Sequence, residues 1–217
     1  IVLILVTWIK WDGSDEWLAW FTSPFRAASP AEEAESTPLV THSVPKPSVT
    51  PTRILENHAL RLEQGQYIRL GVSQDFALAT FTLETWFNRM DTGRPVPVGA
   101  GGVMAVPLIT RGWSESAGQP ASWNYFLGIT AVEPVLVFDY VEGDGQSDSG
   151  AHHTITGTLP IGESIWYHAA VTFDGEVLKL YLDGNLETIV TVGAGHLPAY
   201  EPLQSTTLAA ALDADGK

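Results

Sequence analysis

The chain has 217 residues, enough for one domain of ordinary size with an extension. Its 45% hydrophobic and 10% aromatic content excludes wholesale disorder, and the absence of cysteine excludes disulfides and thiolate metal sites. A net charge of −14 would repel nucleic acid and anionic lipid headgroups, which leaves neutral glycans, divalent cations and basic protein surfaces as partners. Acidity of this size also serves simply to keep an exported domain soluble.

The first residues are strongly apolar and are followed by a concentration of tryptophan. Residues 1–9 read Ile-Val-Leu-Ile-Leu-Val-Thr-Trp-Ile, which is shorter than the about 20 residues that cross a bilayer as a helix. We expect the end of a transmembrane helix; the end of a signal-peptide core and a hydrophobic arm docked on another protein are the alternatives. Tryptophan favours the level of the lipid headgroups. The candidate membrane or partner interface is therefore Trp8, Trp11, Trp17, Trp20 and Phe21.

A short interfacial helix and a linker are expected next. Ser14 is a suitable N-cap, Asp15 and Glu16 suit the first turn, and Pro24 would end the helix. Residues 27–53 are rich in Pro, Ser and Glu, a composition that favours an extended linker, with an ordered strap along a neighbour as the alternative. The expected organisation is a helical membrane or interface segment over 1–26, a linker over 27–53 and a globular domain over 54–217.

From residue 54 onward, short runs alternate apolar and polar residues with a period of two, and Gly, Asp and Asn punctuate them. In the clearest run, residues 81–87, Phe81 and Leu83 should face the core and Trp86 the other side. Turn dipeptides at 174–175 and 183–184 make residues 166–192 a meander of hairpins. Many short antiparallel strands without a helical period predict an all-β sandwich or barrel. The predicted strands are 59–62, 67–70, 81–87, 124–129, 135–140, 166–173 and 177–182.

These runs together resemble the laminin-G-like, concanavalin A-like jelly-roll family. The resemblance covers about residues 55–217 and is carried by ALRL with YIRL at 59–70, FTLETWF at 81–87, WYHAAVTFDG at 166–175 and LKLYLDG at 178–184. It implies a two-sheet antiparallel jelly-roll sandwich that binds glycans or proteins, sometimes with calcium, in an exported or surface protein.

One departure from the family concerns its last strands. Residues 207–212, Thr-Leu-Ala-Ala-Ala-Leu, are similar to the penultimate family strand, and the closing strand that usually follows is absent before Lys217. A sandwich without that strand would leave a sheet edge or a core face open. We expect either that the sequence is a piece of a longer protein or that a partner supplies the strand.

Motifs for catalysis are missing from the sequence. The resemblance implies that a hydrolase of this fold would carry a Glu-x-Asp-x-(x)-Glu run on one strand, to supply the two carboxyl groups that hydrolysis requires, and Glu84 stands alone in its strand. The G-x-S-x-G elbow, the H-E-x-x-H zinc motif and nucleotide-binding loops are also absent. We therefore expect no enzyme, with a degenerate glycan hydrolase as a minor alternative.

The candidate binding residues are acidic and aromatic. Asp139, Glu142, Asp144 and Asp148 gather near a Gly-rich loop and could bind Ca²⁺, although a solvated loop explains them as well. Asp213 and Asp215 form a similar acidic turn. His152 and His153 are expected in an ordinary loop, because adjacent strand residues point to opposite faces, and His168 is expected to be packed and hydrogen-bonded. Sugar-stacking candidates are Trp113 and Trp123, with Tyr125 and Tyr140 equally explained as core.

The sequence therefore predicts a non-enzymatic module, anchored in a membrane with its domain facing the periplasm or cell exterior. It would act as an interaction or structural unit, for example as an accessory subunit beside integral membrane proteins. The alternative is a calcium-assisted glycan-binding module; no nucleic-acid partner is expected, and no cofactor other than Ca²⁺.

Overall fold

The computed structural model describes residues 2–9, 59–63, 65–99, 101–115, 120–143, 150–213 and 215–216. The chain divides into two units, residues 1–13 with 59–217, and residues 14–58. All described residues belong to the first unit. The expected interfacial helix within 10–26 and the linker over 27–53 lie outside the described residues. Among the residues that are described, no helix has the length and apolar character needed to span a membrane.

The described residues form two antiparallel sheets. The first sheet has six strands in the order β12-β11-β10-β4-β1-β2. Their bounds are β1 Val2–Ile9, β2 Leu60–Leu62, β4 Phe81–Arg89, β10 Trp166–Phe173, β11 Val177–Leu182 and β12 Asn185–Thr191. The consecutive neighbours β10, β11 and β12 confirm the meander predicted over 166–192.

The second sheet has the order β3-β13-β6-β7-β8-β9, with β5 paired to β6 beside this path. Its strands are β3 Ile68–Gly71, β5 Val96–Val98, β6 Val103–Trp113, β7 Ser122–Thr130, β8 Leu136–Asp139, β9 Ile155–Thr156 and β13 Thr206–Leu208. A 3₁₀ turn over Gln74–Phe76 links β3 to β4. The two sheets give the all-β sandwich that the sequence predicts.

The main core lies between the sheets and explains the period-two pattern. On β4, Phe81, Leu83 and Phe87 are at most 3% exposed, whereas Trp86 is 45% exposed, so the predicted alternation is confirmed. Strand β11 of the same sheet likewise buries every second side chain, because successive residues of a strand point to opposite faces. The core joins aromatic and aliphatic residues of both sheets, including Tyr125, Leu127, Phe138, Tyr140, Ala169, Val171, Phe173, Leu178 and Leu180.

A second, smaller cluster covers the other face of the seven-stranded sheet. Phe126 lies between the core residues Tyr125 and Leu127 on β7, so it points to the opposite face. There it contacts Trp123, with ring centroids 5.3 Å apart, and both residues are fully buried. Val98, Ala105, Val137 and Val141 complete this cluster. The outer face of this sheet is therefore apolar and covered around β7.

Strand β6 was not predicted, since the segment from 91 to 123 is rich in Gly and Pro. In the structure β6 runs for 11 residues, and Ala105 to Gly112 are all buried. Burial on both faces removes the alternation by which a strand is detected. Pro107 is accommodated because the register with β7 shifts between Pro107 and Ile109, and such an irregularity is where a strand tolerates proline.

The prediction of a helix over residues 1–9 is wrong for Val2–Ile9. These residues form β1, which pairs with β4 along its full length and with β2 at Val2 to Ile4. A short apolar run cannot be assigned to helix or strand by periodicity, and five of these eight residues are β-branched, which favours a strand. With β10 on its other side, β4 is paired at both edges, so the open edge expected from the missing family strand does not occur there.

Candidate functional site

The outer face of the six-stranded sheet carries two exposed tryptophans. Trp86 on β4 and Trp166 on β10 are 45% and 42% exposed. The register places His168 opposite Trp86 and Trp166 opposite Asn88, so the two tryptophans are diagonal neighbours on adjacent strands. The rings of Trp86 and His168 lie 5.1 Å apart at 42°. We call this group the Trp86 face, comprising Glu84, Trp86, Asn88, Trp166 and His168.

Polar groups lie between and beside the rings of the Trp86 face. Glu84 and Asn88 are each 8% exposed, and a Glu84 carboxylate oxygen lies 3.5 Å from His168 Nε2. Asn88 Oδ1 has no hydrogen-bond partner among the described residues. A buried acceptor without a donor costs about 1–3 kcal/mol, so Asn88 Oδ1 is an uncompensated polar atom of the Trp86 face. Aromatic rings with nearby polar groups are typical of a surface that binds amphipathic ligands.

The sugar-stacking residues predicted from sequence are placed elsewhere. Trp123 is fully buried in the second cluster, so its ring is unavailable for stacking and that prediction is wrong. Trp113, the other candidate, is the last residue of β6 and is half-buried. Tyr125 and Tyr140 are fully buried core residues. Burial raises the pKa of Tyr125 to about 12, although its hydroxyl lies 3.4 Å from the Thr206 hydroxyl.

The carboxylates predicted as a Ca²⁺ site have separate histidine partners. Asp139 at the end of β8 is fully buried, with Oδ2 at 2.7 Å from His152 Nδ1, and its Oδ1 accepts a 2.8 Å bond from the Thr154 hydroxyl. Glu142 instead lies 3.0 Å from His153 Nε2 and 2.9 Å from His196 Nδ1. Asp144 and Asp148 lie outside the described residues. The described part of the predicted site is therefore two carboxylate–histidine groups rather than one ring of oxygen ligands.

The two groups shift pKa values in opposite directions. Hydrogen bonding to His153, and then to His196, holds the pKa of the Glu142 carboxyl below its usual value. Hydrogen bonding to Asp139 raises the pKa of His152, against the opposing effect of burial. Both shifts follow from stabilisation of the charged form by a hydrogen-bonded partner.

Sequence reasoning missed the convergence of histidines. His152 and His153 point apart, since each reaches a different carboxylate. His196 joins Glu142 across 54 positions of sequence, and no local pattern signals such a contact. Trp86 and Trp166 could have been identified as exposed binding residues from the sequence, because each is a large aromatic residue on the polar side of an alternating strand. His168 is packed against Trp86 and beside Glu84, as expected.

An open depression of about 510 Å³ lies at residues 74–79, near Asn124 and Tyr200. Its central amide is already used: Asn124 accepts from Leu78 N and donates to the carbonyl oxygens of Leu78 and Ala199. The Asn124 amide is therefore occupied by the backbone and is not free to bind a ligand in this depression.

The predicted membrane interface is described at one residue. Trp8 lies in β1, whereas Trp11, Trp17, Trp20 and Phe21 lie outside the described residues.

Comparison with known proteins identifies the family. No curated protein matches the chain. Among solved structures, the chain is similar to the endo-β-1,4-glucuronan lyase of the fungus Trichoderma reesei, with TM-score 0.36, 9% identity and coverage of 66% of this chain and 67% of that one. It is similar to a structure reported under endo-acting O-glycanases of the human gut microbiota that initiate mucin breakdown, with TM-score 0.31, 17% identity and coverage of 64% of this chain and about half, 52%, of that chain.

A further similar structure is the carbohydrate binding module CBM66 from Bacillus subtilis, with TM-score 0.31, 11% identity and coverage of 69% of this chain and 92% of that one. Residues 62–205, more than half of the sequence, match the profile of one family. The chain belongs to the concanavalin A-like lectin/glucanases superfamily.

Proposed function

We propose that the sandwich is a non-catalytic binding module that takes a neutral glycan on the Trp86 face. The observation that carries the proposal is the pair of half-exposed tryptophans, Trp86 and Trp166, diagonal to each other on adjacent strands. A sugar ring presents an apolar face to an aromatic ring and its hydroxyls to the side, so it matches indole surfaces bordered by Asn88, Glu84 and His168. Strands hold these groups more rigidly than loops would.

Charge and family support a neutral sugar. The net charge of −14 and the Glu84 carboxylate disfavour anionic ligands. Membership of a superfamily named for lectins and glucanases is consistent with carbohydrate as the ligand class. Calcium is not part of the proposal, because Asp139 and Glu142 have histidine partners.

We propose that the module is not catalytic, because β4 lacks a second carboxylate beside Glu84. Glycoside hydrolysis by the usual route needs two carboxyl groups flanking one bond. On β4 the sequence offers Glu84 alone, and its carboxylate lies beside His168. Incubation of the chain with glycans that it binds should release no reducing ends.

A binding assay on glycan panels tests the proposal. Neutral glycans that bind the wild-type chain should be measured by calorimetry against Trp86→Ala and Trp166→Ala. We expect each substitution to weaken binding at least about tenfold, a loss of about 1.4 kcal/mol. Tyr200→Ala is the matched control, since Tyr200 is 50% exposed outside the Trp86 face. Equal binding by all three variants would exclude the Trp86 face.

A protein surface is the second candidate ligand. Leu186 and Ile189 on β12 are 51% and 54% exposed, and their register partners Tyr181 and Lys179 alternate with core leucines on β11. They therefore extend the apolar area of the same outer face, and exposed apolar patches are typical of protein interfaces. This candidate would be favoured if no glycan of the panel binds and if a partner protein binds the wild-type chain but not Trp86→Ala.

We also propose that the tryptophan-rich residues near the start attach the module to a membrane on the periplasmic or extracellular side, beside integral membrane proteins. The support is the sequence alone: Trp11, Trp17 and Trp20 within a short stretch. Vesicle flotation of the full chain tests this. Replacing these three tryptophans by Ser should abolish flotation, whereas Trp166→Ser should not; flotation unchanged by the triple substitution contradicts the tether.

A further inference from the structure

The fold gathers one carboxylate and two imidazoles at the end of β8, where three chain segments are joined by backbone hydrogen bonds. Glu142 N donates to Ala151 O at 2.8 Å, Gly143 N donates to Leu197 O at 3.0 Å, and Ala199 N donates to Val141 O at 2.7 Å. Isolated bridges pair Val141 with His152 and Glu142 with Pro198. The backbone therefore fixes the positions from which these side chains converge.

The three side chains meet at one point. The Glu142 oxygens lie 3.0 Å from His153 Nε2 and 2.9 Å from His196 Nδ1, and the three potential ligand atoms all lie within 4.8 Å of one another. The two imidazole rings are 5.9 Å apart at 58°, so they approach the carboxylate from different directions. We call Glu142, His153 and His196 the Glu142 cluster.

Tyr140 contacts both histidines of the Glu142 cluster. Its ring stacks on His153, with centroids 4.7 Å apart at 25°, and its hydroxyl donates a 2.6 Å bond to the backbone oxygen of His196. Tyr140 is itself fully buried. Groups of this kind, which hold ligating side chains in place, are a regular part of protein metal sites.

We propose that the Glu142 cluster binds a first-row divalent transition metal ion of the Zn²⁺ type, through two imidazole nitrogens and one carboxylate. This donor set suits Zn²⁺, Co²⁺ or Ni²⁺, whereas Ca²⁺ takes six to eight oxygens. The side chains of Glu142 and His196 are 26% and 47% exposed, so an ion can enter from solvent and water can fill the remaining positions. The net charge of −14 favours cation entry.

The inference is independent of the proposed glycan binding, since the Glu142 cluster shares no residue with the Trp86 face. The ion can bind where sugar binding fails, and sugar can bind where the ion does not.

The experiment uses the full untagged chain, stripped of metal, with Zn²⁺ titrated by calorimetry and Co²⁺ followed by its visible absorption. The wild-type chain should bind one equivalent, with an absorption band of tetrahedral or five-coordinate Co²⁺. His196→Gln removes a half-exposed ligand with little risk to folding, and Glu142→Gln removes the carboxylate. We expect at least about tenfold weaker binding for each.

Glu176→Gln is the matched control, since it removes an exposed carboxylate from the β10–β11 turn and should bind like the wild type. A second readout is thermal: Zn²⁺ should raise the melting temperature of the wild type and of Glu176→Gln but not of His196→Gln. The proposal is overturned if Zn²⁺ fails to saturate one site below about 100 μM, a Kd that corresponds to roughly 5.5 kcal/mol. Equal affinity of His196→Gln and wild type, or displacement of Zn²⁺ by equimolar Ca²⁺, also overturns it.

Discussion

At the scale of single residues, Arg111 is a buried cation with few hydrogen-bond partners among the described residues. It is fully buried on β6, its Nη1 donates to the Thr206 hydroxyl at 3.3 Å, and Nε and Nη2 have no partner among the described residues. Burial lowers the pKa of its guanidinium. A buried charge without a carboxylate partner weakens a fold relative to an apolar side chain of similar volume.

The Arg111→Met variant should accordingly unfold no more easily than the wild type, and its free energy of unfolding should rise by about 1–3 kcal/mol. Urea titration followed by tryptophan fluorescence measures the difference. Phe87→Ala is the reference for a damaging core change, with an expected loss of about 3–5 kcal/mol. A loss above about 1 kcal/mol in Arg111→Met would mean that the guanidinium has a stabilising partner.

The turn between β10 and β11 depends on Asp174. Its Oδ1 accepts bonds from the backbone nitrogens of Glu176 and Val177, at 2.9 and 2.7 Å, and the bond from Val177 is the main cause of its lowered pKa. A carboxyl with a lowered folded-state pKa stabilises the fold above its unfolded value and loses that contribution as pH falls through the folded value.

Asp174→Ala should thus lower the free energy of unfolding by about 1 kcal/mol at pH 7. The difference from wild type should shrink below the usual Asp pKa of 3.8, as the pH falls through the lowered value. Urea unfolding of both proteins at neutral and at acid pH provides the test. A difference that stays constant over this range would show that the carboxylate charge plays no part.

Residue roles were predictable to the extent that they depend on neighbours in sequence. The inward positions of Phe81 and Leu83 follow from alternation. The partnership of His196 with Glu142 does not, because it depends on how two distant segments pair. Trp123 was wrongly predicted to be available for sugar stacking. It is buried against Phe126, and sequence periodicity does not show that this face of the sheet is covered.

At the scale of elements, the prediction succeeded for β10 and β11, which have one wet face, and also for β7 and β8, which are buried on both faces, whereas β6 was missed. The bounds of β10 and β11 agree with the sequence runs 166–173 and 177–182. Strand β6 is buried on both sides and includes Pro107, so neither alternation nor composition identifies it. Strand β1 has a composition shared by membrane segments and central strands, and its pairing with β4 distinguishes the two.

A proline in β1 tests that pairing. Leu3 lies in register with Arg61 on one side and Asn88 on the other, so Leu3→Pro must remove a ladder bond from a strand paired at both edges. We expect a loss of about 1–3 kcal/mol in the free energy of unfolding. Urea unfolding and limited proteolysis report the change.

The control for this prediction is Ser48→Pro, placed in the stretch that already contains Pro45, Pro47 and Pro51. It should leave the unfolding midpoint unchanged. If Leu3→Pro also leaves the midpoint unchanged, β1 contributes nothing to the stability of the sandwich. Removal of residues 1–26 would then leave the sandwich as stable as the full chain.

At the scale of the whole molecule, the two sheets differ in what their outer faces present. Around β7 the seven-stranded sheet carries the buried Trp123 and Phe126, while the six-stranded sheet presents Trp86 and Trp166 to solvent. The chain as a whole carries a net charge of −14. Binding by ring stacking and binding by charge should therefore respond differently to salt.

Neutral glycan binding on the Trp86 face should vary less than about twofold between 50 and 500 mM NaCl, because salt screens interactions between exposed charges more than about 10 Å apart at 0.1 M and leaves apolar contact intact. Calorimetry of the wild-type chain at three salt concentrations measures this. A fall of about tenfold or more would identify a basic partner drawn by the acidic surface, and the protein-docking candidate would replace the glycan. Since the −14 charge is a property of the whole chain, Trp86→Ala should change the affinity while leaving its salt dependence as it is.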